Sequence, residues 1–194
     1  HLHPAAKGKL YVADLPADVT DLSLGCGDPV TLALSYQEMR NDLANAPGMD
    51  DKTGLWVCVE ALRRASEAGG LKIALYAVST VQEEIGLRGA TTSAYGADAK
   101  VGIAVDVTFA ADHPGLGDAK TNLNEVALGK GPVITRGPNT HPRFFDMIVA
   151  VAKEKNIPLQ INAEGRGTGT DANAMQLSRG GMATTLLSIP NRYM

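Results

Sequence analysis

Glu83 and Glu84 stand side by side in the stretch STVQEEIGLRGA, directly after the apolar run LKIALYAVS. Burying an ionised carboxylate is costly unless it is paired, hydrogen-bonded or bound to a metal. A doublet at the end of an apolar run is therefore either solvated in a turn or put to use. Two further carboxylates fall at comparable places, Asp106 within GIAVDVT and Asp50 in PGMDDKTG, just ahead of a helical pattern. Alone, Asp50 or Asp51 fits a helix N-cap, and the glutamate pair fits a solvated turn. Asp106 is harder to place, because an aspartate inside a buried strand needs a partner. Gathered at one sheet edge, these acids repel one another unless a cation neutralises them, and carboxylate oxygens suit hard or borderline divalent metals. A metal site accounts for all three features together.

The elements that must position these residues follow from periodicity. TGLWVCVEALRRASEAGG places Leu55, Val59 and Leu62 at helical spacing, with Trp56 and Cys58 as further core candidates, and ends at Gly69-Gly70, a glycine stop. The run 71–79 reads as a strand buried on both faces. RGATTSAYG reads as a short helix and AKVGIAVDVT as a second buried strand. After a loop over 109–124, HPRFFDMIVAVAKEKN reads as a helix with Phe145, Ile148, Val149 and Ala152 on one side. IPLQINA and MATTLLSIP read as strands, with DANAMQLSRGG as the helix between them. Strands alternating with helices predict an α/β fold, a mostly parallel sheet with helices on both faces. In open sheets of this kind, ligands bind beyond the carboxyl ends of the strands. Residues 1–48 are instead short β-like pieces broken by Gly, Pro and Asp, which predicts part of a small β-rich module ahead of an α/β domain over 49–194.

Composition bounds the function. The 194 residues are 44% hydrophobic and 20% charged, with a formal net charge of −3. That mild acidity gives no basic footprint for nucleic acid. No apolar run approaches the ~18 residues needed to span a bilayer. Cys26 and Cys58, far apart in the chain, read as reduced thiols of a cytoplasmic protein. The chain opens on His1 and closes on SIPNRYM directly after an apolar run, so it is read as part of a longer protein.

STVQEEIGLRGA, and IAVDVT followed by DHPG, resemble the tetrahedral (TET) aminopeptidases, dinuclear metallopeptidases that include glutamyl and leucyl aminopeptidases and some proteins labelled endoglucanase. GMDDKTGL, LGKGP, GTDA and SIPNRYM fall in the family's order, from about Asp50 to Met194. The resemblance implies a zinc-peptidase-like domain that removes N-terminal residues from peptides. It implies two divalent ions (Zn, Co or Mn), with Asp50 bridging them, Glu84 and Asp106 as further ligands, and Glu83 as general base. It also implies a homo-oligomer, a dodecamer, assembled through the β module. The family's two histidine ligands, one in a His-x-Asp motif upstream and one directly after the Arg-Tyr-Met, are absent, so the chain is read as an incomplete copy. His1, His3, His113 and His141 do not match them.

Thr170 and Asp171 fit a helix cap, while the family uses their segment to wall the substrate cleft. Arg166 beside them is a candidate for an acidic substrate side chain or a solvated arginine. Gly86 and Gly89 are expected to permit close backbone approach. Two rival functions remain. One is a glycoside hydrolase with Glu83 as acid and Asp106 as base or nucleophile. The other is an inactive assembly or binding module of the same fold.

Overall fold

The computed structural model describes Leu2–Pro4, Tyr11–Ala13, 33–116 and 125–194. Two compact units divide the chain, His1–Ser35 and Tyr36–Met194. In the first, strands β1 (Leu2–Pro4) and β2 (Tyr11–Ala13) pair antiparallel. Cys26 and the side chains of His1 and His3 lie outside the described residues.

The second unit begins with the antiparallel hairpin β3 (Gln37–Met39) and β4 (Leu43–Asn45). Helix α1 (Met49–Ala68) follows and stops at Gly69, whose φ of 64° suits glycine. Helix α2 (Arg88–Ala97), strand β5 (Val101–Phe109), strand β6 (Val133–Arg136), helix α3 (Pro142–Glu154), strand β7 (Gln160–Ala163), helix α4 (Asp171–Met175) and strand β8 (Ala183–Asn191) complete it. The sheet order is β5-β8-β6-β7. β5 and β8 are parallel, β6 and β7 are parallel, and β8 meets β6 antiparallel. The sheet is thus mostly parallel, with α1, α3 and α4 packed against it. This is the α/β fold expected.

The core lies along β8 and β6, where Val133, Ile134, Thr184, Thr185 and Ser188 are fully buried. Leu186 of β8 joins Ala104 of β5 and Ala172 of α4 in one apolar cluster, with Met175 packed on it. These contacts bind α4 to the strand that carries Asp106. Helix α3 buries Phe145 and Ala152 and half-buries Ile148 and Val149, as its periodicity predicts.

Two expectations fail. The run 71–79 forms no strand, and its apolar residues are exposed, Ile73 by 71%. A strand exists through ladder bonds to a neighbour, and among the described residues none pairs with this run. The stripe expected to bury α1 is also exposed at Leu55, and Val59 and Trp56 are 55% and 64% exposed. Cys58 and Leu62, both expected inside, are half-buried, and Asp51, Gly54 and Ala65 share their side of the helix at helical spacing. The small Gly54 and Cys58 let this side approach β5, the strand against which α1 packs.

Candidate functional site

Asp50 and Asp51 open α1, joined by a cis peptide bond, and both have non-helical backbone angles. The N-cap role falls to Asp51, whose Oδ1 accepts the Gly54 N–H at 2.9 Å. Asp50 is left exposed, with no donor to its carboxylate among the described residues.

Glu83 and Glu84 sit in a tight turn between 80 and 89. Gln82 has φ of 57° and Gly86 of 127°. The Glu83 carbonyl accepts two main-chain donors, the N–H of Gly86 at 3.0 Å and of Leu87 at 2.9 Å. The N–H of Gly89 donates to the Val81 carbonyl at 2.8 Å. A Cβ at Gly89 would collide with the main-chain N and O of Val81, so the close approach expected of this glycine is present. The turn separates the doublet: Glu83 is half-buried and Glu84 is exposed.

Asp106 lies inside β5 rather than at its end, opposite the buried Ser188 of β8, and its Oδ1 accepts the Val107 N–H at 2.7 Å. Asp171 is the first residue of α4. Neither it nor Thr170 caps that helix through its side chain, against the expectation. Thr170 Oγ1 shares a 2.8 Å hydrogen bond with Thr168 Oγ1. Asp171 Oδ2 accepts from Thr80 Oγ1 at 2.7 Å, and Asp171 Oδ1 is buried without a partner.

These carboxylates act on one another. Burial pushes the Glu83 carboxyl up to about 7, and the charges of Asp106, Asp171, Glu84 and Asp50 add to the rise. Burial likewise raises Asp51 to about 7 against the Gly54 hydrogen bond, reinforced by Asp106, Asp50 and Asp171. Asp106 is raised to about 6 by burial, against the Val107 hydrogen bond, with the charges of Asp50, Asp171 and Glu84 adding to it. Six acids from four segments therefore lie near enough for their charges to act on one another. Among the described residues no Lys, Arg or His side chain donates to any of them. Oxygen donors with spare lone pairs and no counter-charge fit a divalent cation in kind. They do not fit one in spacing as they stand: among the described residues, no three His, Cys, Asp or Glu side chains are grouped to hold a metal ion.

Arg166 is exposed and lines a shallow depression with Thr135, Asn139, Glu164 and Thr168. The buried Asn139 anchors this rim, its Oδ1 accepting the Thr168 N–H at 2.7 Å and its Nδ2 donating to Asn173 Oδ1 at 3.1 Å. His141 stands at the start of α3, and His113 stacks on Tyr193 with ring centroids 4.4 Å apart. Thr80 and Asn139 were not singled out in the sequence. Their partners lie 91 and up to 45 positions away, so no local pattern marks them.

A profile of the family described as M42 glutamyl aminopeptidase matches residues 12–194. The chain belongs to that family. The resemblance to the TET aminopeptidases read from the motifs is thereby upheld. One relative, the lysyl aminopeptidase of Pyrococcus furiosus, is 46% identical over 148 residues, covering 76% of this chain and 40% of its own length. Among solved structures, aminopeptidase APDkam598 of the archaeon Desulfurococcus kamchatkensis superposes with a TM-score of 0.72 at 36% identity, over 84% of this chain and 45% of the other. The TET1 peptidase of Pyrococcus horikoshii, described as assembling into a tetrahedron or a large octahedral shell, gives 0.60 at 26% identity, over 84% and 46%. The chain spans less than half the length of the M42 relatives it matches, between 40% and 49% for the curated proteins. Among the described residues, no helix is long and apolar enough to cross a membrane.

Proposed function

We propose that this M42 chain forms part of a metal-dependent aminopeptidase that hydrolyses N-terminal residues from peptides. The observation that carries the reading is the convergence of Asp50, Glu83, Glu84 and Asp106 without a counter-cation, in a chain of an aminopeptidase family. Asp50, Glu84 and Asp106 would hold the divalent ions. Zn, Co and Mn all accept such oxygen donors. When bound, the metal pair supplies Lewis-acid polarisation of the scissile carbonyl and makes water more acidic.

Glu83 is the general base. Its carboxylate takes a proton from the water that attacks the scissile carbonyl carbon. It then returns that proton to the leaving amine nitrogen as the C–N bond breaks. A pKa raised toward neutrality suits both steps, since the group must gain and lose a proton in one cycle. The half-burial that raises it also limits competing bulk water. Arg166, Thr170 and Asp171 wall the cleft on the substrate side.

In this reading 49–194 is catalytic and 1–48 contributes to an oligomerisation module. The assembly is a homo-oligomer, as the shell-forming TET1 peptidase suggests by analogy, and the motif resemblance implies a dodecamer. The use of only two cysteines, far apart in the sequence, suits a reducing, cytoplasmic setting. The test is hydrolysis of aminoacyl-p-nitroanilides by the full chain, before and after chelation. Activity lost with EDTA and restored by Zn, Co or Mn supports the proposal. Hydrolysis indifferent to EDTA, or cleavage of glycosides instead, overturns it.

A further inference from the structure

The turn that bears Glu83 has few ties to the rest of the fold. Its main-chain bonds are internal: Gly89 to Val81, Arg88 to Gln82, and Gly86 and Leu87 to Glu83. The run that leads into it, 71–79, pairs with no strand among the described residues. Turn and α2 are thus joined as one unit, the Gly89 N–H at the start of the helix donating to the Val81 carbonyl at 2.8 Å. One side-chain hydrogen bond crosses from this unit to the base of α4, from Thr80 Oγ1 to Asp171 Oδ2 at 2.7 Å, between residues 91 positions apart. Helix α4 packs on α2 and on β5, the strand of Asp106. Among the described residues the Asp171 carboxylate has no second partner: it does not cap α4, and its Oδ1 is buried and unbonded.

We infer that Thr80 and Asp171 are positioning residues, a latch that fixes the Glu83 turn relative to Asp106. The inference rests on the proposed peptidase reading for its catalytic consequence, and on geometry alone for the latch. A hydroxyl donor three residues before the base, bonded to an otherwise unbonded carboxylate, sets where the turn begins. Without it, the turn keeps only the packing of α2, which Arg179 ties at its far end by donating to the Tyr95 carbonyl at 2.6 Å, and Glu83 samples positions from which it cannot reach its proton.

The test compares wild type, Thr80→Val, Thr80→Ser, Asp171→Ala and the Thr80→Val/Asp171→Ala double variant, each in the full chain with Mn supplied. Amide hydrogen exchange over 80–89 reads the latch, and steady-state rates on an aminoacyl-p-nitroanilide panel read its consequence. Thr80→Val is expected to speed exchange at Gly86, Leu87, Arg88 and Gly89 by ~10-fold, the loss of about one hydrogen bond. It should lower kcat by ~10- to 100-fold, the scale of a misplaced catalytic group, with KM within about 2-fold. Thr80→Ser should restore both, and the double variant should be no worse than the poorer single one, as for two partners of one bond. Unchanged exchange in Thr80→Val overturns the latch. Faster exchange with unchanged kcat overturns its positioning role. A wild type inactive on every peptide, yet with Thr80-dependent exchange, removes the peptidase reading and the catalytic role while the latch stands.

Discussion

Glu83→Gln keeps the length and shape of the side chain and removes its charge. In the folded protein, burial first and neighbouring charges second raise this carboxyl from its ordinary 4.5 to about 7. At ~1.36 kcal/mol per pH unit the rise corresponds to ~3.4 kcal/mol against the ionised form. Glu83 is half-buried and its neighbours can relax, so screening leaves about 1–2 kcal/mol of that cost in the metal-free protein. The sign follows from proton binding. A raised carboxyl holds its proton more tightly when folded, so stability falls as pH rises from 4.5 to about 7. Glutamine escapes that loss. The variant should therefore match wild type near pH 4 and melt higher at pH 8 by about 2–8 °C, taking ~2–4 °C per kcal/mol for a chain of this size. Its kcat should fall by ~10²–10⁴ with metal supplied. Scanning calorimetry of the metal-free proteins at pH 4, 6 and 8, beside steady-state kinetics, reads both effects. A melting gain that does not vary with pH, or no gain at pH 8, would refute the reasoning, because removing a strained charge is the only source of stability claimed.

Metal should stabilise what Glu83→Gln stabilises by another route. At ~100 times its Kd a divalent ion adds about 2.7 kcal/mol, so titration of Zn, Co or Mn should raise Tm by roughly 5–10 °C, and a Tm indifferent to metal counts against the carboxylate cluster as its site. Gly89→Ala should cost about 1–3 kcal/mol, the usual scale of an overpacked site, because the new Cβ meets the Val81 main chain; circular-dichroism melts check it, and an unchanged melt would mean the turn can yield. A bound cation cancels the neighbours' repulsion at Glu83 but leaves the effect of burial, so the acid limb of kcat/KM should have its midpoint between 4.5 and about 7, activity rising with pH as the base ionises. A limb outside that interval would assign the base elsewhere.

Periodicity made the second half of the fold legible. α3 shows the inward set Phe145, Ile148, Val149 and Ala152 because both its apolar spacing and its packing surface lie within the described unit. The run 71–79 was misread for the converse reason. Its apolar residues describe the surroundings a strand requires, and hydrophobicity cannot state whether a neighbouring strand is there to supply them. On α1 the Leu55 and Val59 stripe is real in the sequence, but the face that meets β5 includes the small Gly54, which carries no hydrophobic signal, beside Cys58, which the sequence did mark for the core. At the site, the acids Asp50, Glu83, Glu84 and Asp106 were visible as types in suggestive places. The division between Asp51, which caps a helix, and Asp50, which does not, needed the backbone. So did the bond from Thr80 to Asp171.

The same chain shows how it treats carboxylates when only stability is at stake. On the exposed side of α1, Glu60 bonds Arg63 at 2.7 Å and Arg64 at 2.6 Å, and these guanidinium groups hold its carboxyl down at about 2. Nine positions earlier on the same helix, Asp51 is moved the opposite way, to about 7. Arginines are thus near in sequence, yet among the described residues none turns toward Asp50, Asp51, Glu83, Glu84, Asp106 or Asp171. Each of Asp51, Asp106 and Asp171 instead receives a single donor, from Gly54, Val107 and Thr80, to one of its oxygens. One neutral donor orients a carboxylate without neutralising it, and a carboxylate offers about four acceptor positions. An arginine would have stabilised the apo fold by occupying those positions. Leaving them free costs stability and keeps acceptor positions uncompensated, open to a proton in transit or, under the proposed function, to a cation around which the side chains regroup.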